Sequence, residues 1–141
     1  MPLQRLSLTE FGLAYLAAFV ALAILDALWL GWFARDFYKR EIGELMAESV
    51  RLGPAGLFYL LYPLGLTYLA LQPPPPTVLE AALRCAVVGL VAYGTYDLTN
   101  LATLRGWSTR LFLADVAWGT FASALAGTIA WVVAVPSAAK G

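Results

Sequence analysis

No histidine occurs anywhere in the chain, and its one cysteine, Cys85, lies inside an apolar run. The first absence excludes His-Cys zinc sites, haem held by His, and Ser-His or Cys-His nucleophile pairs; the second excludes an intrachain disulfide. Charge is scarce too. It makes up 13% of the residues, with 9 basic and 9 acidic side chains summing to zero and no basic tail. A nucleic-acid partner would find no electrostatic footing on such a chain. What fills the composition instead is apolar: 61% of 141 residues, at a mean hydropathy of +0.74. That is too hydrophobic for a soluble domain and enough for one membrane domain whose first partner is the lipid bilayer.

The apolar runs predict an all-α membrane protein, a bundle of four transmembrane helices over residues 8–33, 55–71, 78–104 and 109–135. Ser7-Leu8-Thr9-Glu10 is a capping box opening the first span. A secretory signal peptide is the competing reading there, since Ala21-Leu22-Ala23 resembles a cleavage site. Against it, Arg5 is the only basic residue ahead of the run, Glu10 is acidic, and the apolar residues continue past that point. Between Arg35 and Arg51 charged residues alternate with Tyr38, Ile42, Leu45 and Met46, the pattern of a short amphipathic helix in the interface; a solvated linker with a helical turn or two fits the stretch equally well. Pro63 in the second span predicts a kink and a freed carbonyl at Tyr59, and Tyr59 itself reads best as part of an aromatic belt. Four prolines, Pro73 to Pro76, form a stiff turn; Thr77-Val78-Leu79-Glu80 is a second capping box, and Ser108 an N-cap for the last span. Residues 136–141 read as a frayed tail. Gly119, Ser123 and Gly127 make a small-residue stripe that would let another helix approach closely, a candidate homodimer contact.

Within the third span, Tyr93, Tyr96, Asp97 and Asn100 fall on one helical face, so two phenols, a carboxylate and an amide must point at protein or trapped water. Asp26 with Trp29, one turn on, repeats an acid-indole pairing found again at Asp115 and Trp118. The first and third spans also share a layout of capping box, aspartate and Gly-Trp, as two similar helical hairpins would. Counting back from the basic residues that mark the interface, Asp26, Asp97 and Asp115 lie about 7 to 14 Å below one membrane face. Tyr62 and both tryptophans belong to that layer. Six basic residues (Arg35, Lys39, Arg40, Arg51, Arg105, Arg110) lie on the pocket side against Arg5, Arg84 and Lys140 on the other, which predicts a cytoplasmic pocket with both termini outside.

The D-x-x-W of the first span, the Y-D-L-T-N of the third and the D-x-x-W-G of the fourth resemble a family of small bacterial predicted membrane proteins, domain of unknown function 2177. The resemblance covers nearly the whole chain. It implies a multi-pass protein of the bacterial inner membrane, with Asp26, Trp29, Tyr96, Asp97, Asn100, Asp115 and Trp118 as motif positions, and it implies no activity.

Three carboxyls in one low-dielectric layer cannot all ionise without compensation, so at least one should carry a proton near neutral pH. The first reading is a pocket of Asp26, Trp29, Tyr62, Tyr93, Tyr96, Asp97, Asn100, Asp115 and Trp118 that binds a cation, a small molecule or a lipid head group, with the aromatic faces available to an ammonium. Asp and Asn oxygens suit Mg²⁺ or Ca²⁺, yet no loop spacing builds a metal cage, and neither a metal nor a cofactor is assigned. The second reading is a membrane enzyme using one protonated and one ionised aspartate for isomerisation of an unsaturated lipid or isoprenoid. The third is a structural or assembly subunit whose aspartates fix bundle register.

Overall fold

A computed structural model describes residues 4–141, which are all-helical with no strand among them. Helix α1, Leu8–Leu28, runs on through a π-helical turn, Trp29–Phe33; the other spans are α3, Leu52–Leu71, α4, Val78–Thr103, and α5, Thr109–Ala134. All four are long and apolar enough to cross a membrane. The short helix α2, Arg35–Ile42, lies between the first two spans.

The caps explain where the helices begin. Ser7 Oγ accepts from the Glu10 backbone N–H at 3.1 Å while the Glu10 carboxylate accepts from Ser7 N–H at 2.7 Å, so the capping box is fully made. At Thr77 only half of the expected box forms. Its hydroxyl accepts from Glu80 N–H at 3.2 Å, but the Glu80 carboxylate pairs with Arg84 instead. Ser108 accepts from Leu111 N–H at 3.0 Å and starts α5 as expected. Helix α3 begins three residues earlier than the apolar run suggested, because Pro54 falls in its first turn, where a missing N–H costs nothing.

The stretch 35–51 satisfies part of each expectation. It is helical only to Ile42, then makes a 3₁₀ turn, Gly43–Leu45, and continues without helix to Arg51. Pro63 sits inside α3 without ending it; the Tyr15 hydroxyl donates to the carbonyl of Leu60, next to Tyr59 on that turn, at 3.0 Å. The expected frayed tail is docked. Gly141 N–H donates to the Pro76 carbonyl at 2.6 Å, and the Trp131 indole, with Lys140 over its ring, donates to the Pro75 carbonyl at 2.8 Å.

Small residues decide how the bundle closes. Helix α5 packs along α4 and, antiparallel, along α1, while α3 leans on α1 and touches α4 more lightly. Ala14 and Ala18 of α1 and Ala122, Ala126 and Ala130 of α5 are all buried. The stripe Gly119, Ser123, Gly127 is buried as well, against α4 of the same chain. A methyl group at Gly119 would strike the Tyr93 ring, one at Gly127 would strike Cys85 Sγ, and one at Gly89 would come within 2.6 Å of the Gly119 carbonyl. The close helix approach predicted from the stripe is therefore spent within the chain, and these three residues present no free face to a second copy. The outward faces carry Leu13, Leu16, Val20, Leu60, Leu83, Val87 and Val132, as lipid contact requires.

Candidate functional site

Between α1, α3, α4 and α5, near the end of the bundle that carries α2, lies a cavity of about 560 Å³. Seven of the nine residues expected in a pocket line it: Asp26, Trp29, Tyr62, Tyr93, Tyr96, Asp115 and Trp118. Phe58 of α3 and Tyr96 of α4 both line it and are both exposed at the bundle surface. Asp97 and Asn100 are not in the lining. Asp97 sits wholly buried behind the cavity, and Asn100 lies one turn further along α4.

Two D-x-x-W motifs meet across the α1–α5 interface and exchange partners. Trp118 of α5 donates its indole N–H to Asp26 Oδ1 of α1 at 2.9 Å. Trp29 of α1 donates to the Tyr38 hydroxyl at 3.2 Å, which in turn donates to Asp115 Oδ1 of α5 at 2.5 Å. The two indole rings stack face to face, centroids 4.5 Å apart and 2° from parallel. Because the helices run antiparallel, each tryptophan falls opposite the other motif's aspartate. The π turn that begins at Trp29 adds a residue to the helix where this crossing is made, with Ala34 N–H donating to the Trp29 carbonyl at 2.7 Å.

Each carboxyl has a distinct surrounding. Asp26 is 5% exposed and its second oxygen accepts from the Tyr59 hydroxyl at 2.7 Å, so two neutral donors hold it at the cavity wall. Asp115 is partly buried and reaches the cavity. Asp97 accepts from the Trp107 indole at 3.2 Å through Oδ1, and its buried Oδ2 has no hydrogen-bond partner. Among the described residues no basic side chain forms an ion pair with any of the three. The ion pairs among the described residues are Arg84 with Glu80 and Arg110 with Glu41, both elsewhere. Tyr62 hydrogen-bonds Ser123 at 2.6 Å and meets Tyr93 edge to face, which fixes the deep aromatic wall.

The profile of a family described as predicted membrane protein, DUF2177, matches residues 11–132. The chain belongs to that family. No curated protein and no solved structure matches it. The matched range holds both D-x-x-W motifs, the Tyr-Asp-Leu-Thr-Asn stretch of α4 and every cavity residue of this DUF2177 protein.

Three polar side chains of the DUF2177 site escaped the sequence reading. Tyr59, assigned there to an aromatic belt, is turned inward onto Asp26; its spacing to Tyr62, one turn on, was the available signal, since both fall on one helical face. Tyr38 occupies the apolar stripe of the interfacial segment, where a phenol reads as packing, yet it links Trp29 to Asp115. Burial first, and then the bond to Asp115, hold its hydroxyl well above the ordinary tyrosine range of about 10. Trp107 lies in the loop after α4 and folds back onto Asp97. Helix α2 is held in place by the same logic from outside: the Glu41 carboxylate accepts from the Ser108 hydroxyl and, at 2.9 Å, from Arg110.

Proposed function

We propose that this protein binds the cationic head group of a lipid-like molecule, which enters sideways from the bilayer between α3 and α4. The observation that carries the proposal is Asp26. It is a carboxylate set in a cavity wall by Trp118 and Tyr59, flanked by aromatic faces, with no basic side chain opposite it. A buried carboxylate without a counter-ion is costly, and a ligand carrying positive charge relieves that cost. Ring faces of Trp29, Tyr62, Tyr93 and Trp118 suit an ammonium group, each well-placed ring contributing about 0.5–2 kcal/mol. The apolar remainder of the lining, with Phe58 and Tyr96 exposed at the bundle surface, accommodates a hydrocarbon chain. An anionic head group has no partner here.

In the living cell we place the pocket in the cytoplasmic leaflet of a bacterial inner membrane, because six of nine basic residues flank that end. The test uses purified protein in phosphatidylcholine nanodiscs, titrated with octyltrimethylammonium and, separately, octyl sulfate, with tryptophan fluorescence as the signal. Saturable binding of the ammonium probe alone is expected, and Asp26→Asn should abolish it. Equal binding of octyl sulfate, or an Asp26→Asn protein that binds the ammonium unchanged, refutes the proposal.

A further inference from the structure

We propose that the cavity takes a head group carrying two positive charges a short link apart, one seated at Asp26 and the other at Asp115, so that the ligand is a diammonium and not a simple ammonium. The inference rests on the pocket reading above and names the chemistry of what that pocket holds.

Both carboxyls line the one cavity, and they come to it from different helices, α1 and α5. The directions of their hydrogen bonds show that each is held as an acceptor. An indole N–H can only donate, so Trp118 donates to Asp26 Oδ1, while the Tyr59 hydroxyl donates to Oδ2. On the other side Trp29 donates to the Tyr38 oxygen, and the single proton of that hydroxyl is left for Asp115 Oδ1. Every one of these partners is neutral. Arg110, the basic residue nearest to Asp115 along α5, pairs with Glu41 instead. Each carboxyl is thus oriented by donors that do not cancel its charge.

Spacing follows from the two D-x-x-W motifs. Trp118 reaches Asp26, and Asp115 precedes Trp118 by three residues, so the second carboxyl stands about one turn of α5 from the level of the first, roughly 4.5 Å along the axis. Trp29 repeats the relation from α1, reaching Asp115 through Tyr38, and the two rings are stacked. The seats are therefore neighbours, with indole faces beside both. A single ammonium in this cavity leaves one of the two carboxylates without a counter-ion, and a second positive group relieves that cost as well.

Four permanently charged probes test this by tryptophan fluorescence in phosphatidylcholine nanodiscs: octyltrimethylammonium, a bis-quaternary probe in which a three-carbon link joins octyldimethylammonium to trimethylammonium, its ten-carbon-link counterpart, and the three-carbon diammonium without the octyl tail. The short-linked octyl probe should bind about tenfold or more tighter than octyltrimethylammonium. The long-linked probe, with the same two charges set too far apart, should lose that gain. In Asp115→Asn the ratio of short-linked to single-charge affinity should fall to about one. The wild-type comparison needs no variant, so it decides even where Asp115→Asn does not fold. Single-charge binding as tight as the short-linked probe, or an equal gain with the long link, overturns the second seat and leaves the pocket standing. A preference that persists in Asp115→Asn overturns the assignment to that residue. Binding of the tail-free diammonium as tight as its octyl form keeps the two seats and makes the ligand a soluble diamine; weaker binding makes it a lipid head group. If none of the four probes binds, the pocket reading and the second seat fall together.

Discussion

Replacing Tyr59 by Phe removes one oxygen atom and tests whether Asp26 is a held carboxylate. The hydroxyl donates to Asp26 Oδ2 at 2.7 Å, on a side chain only 5% exposed. A hydrogen bond to a charged group contributes about 1.5–3 kcal/mol, against roughly 0.5–1.5 kcal/mol for a neutral one. Tyr59→Phe should therefore cost about 2 kcal/mol. Tyr15→Phe is the control, because that hydroxyl donates to the neutral Leu60 carbonyl in an exposed position, and about 1 kcal/mol or less is expected. The cycle closes with Asp26→Asn: its amide oxygen still accepts from Trp118, and the Tyr59 hydroxyl can turn to accept from the amide N–H. In that background Tyr59→Phe should cost only about 1 kcal/mol, a coupling of about 1 kcal/mol. Equilibrium unfolding in mixed micelles by added sodium dodecyl sulfate, followed by tryptophan fluorescence, measures all four proteins. If Tyr59→Phe costs the same in both backgrounds, or no more than Tyr15→Phe, the charge on Asp26 is not what Tyr59 supports.

Helix packing gives a paired prediction: Gly89→Ala should destabilise by roughly 1–3 kcal/mol, since its methyl would meet a backbone carbonyl that cannot yield, whereas Gly12→Ala, with open space around it, should gain up to about 1 kcal/mol in the same unfolding assay. For Tyr38 the sign follows from its raised value: the folded hydroxyl keeps its proton above pH 10 while the unfolded one ionises, so stability is full below about pH 10 and declines as pH rises beyond it. Tyr38→Phe should flatten that alkaline decline in unfolding experiments run from pH 8 to 12; an unchanged slope contradicts the burial of Tyr38. Topology is checked by fusions: a C-terminal alkaline phosphatase should be active and a fluorescent protein in that place dark, and the reverse result places the pocket in the opposite leaflet.

Four spans and two of the three caps in full were legible in the sequence, because length and capping chemistry are local properties. Rotation about each helix axis was not. The spans are apolar nearly all round, so only the face it shares with Tyr62 hinted at which way Tyr59 turns, and a belt and a pocket wall look alike until Asp26 is seen opposite. The stripe Gly119, Ser123, Gly127 was correctly read as a surface for close approach, but small residues carry no information about which helix approaches; here it is α4, with Gly89 and Cys85 completing the fit. The D-x-x-W repeat was visible, while the exchange of partners depends on an antiparallel crossing that only tertiary structure supplies. Tyr38 and Trp107 lie outside the spans, where a polar aromatic next to charged residues ordinarily signals an interface.

The contact between α1 and α5 changes character along its length. Toward the end held by the proline turn it is made by alanines of both helices, until the buried Trp131 closes it on the Pro75 carbonyl. At the other end the same helices meet through two stacked indoles beside the phenols of the cavity. Alanine has no side-chain rotamers to change, so any adjustment of the bundle around the cavity falls to the indoles and phenols.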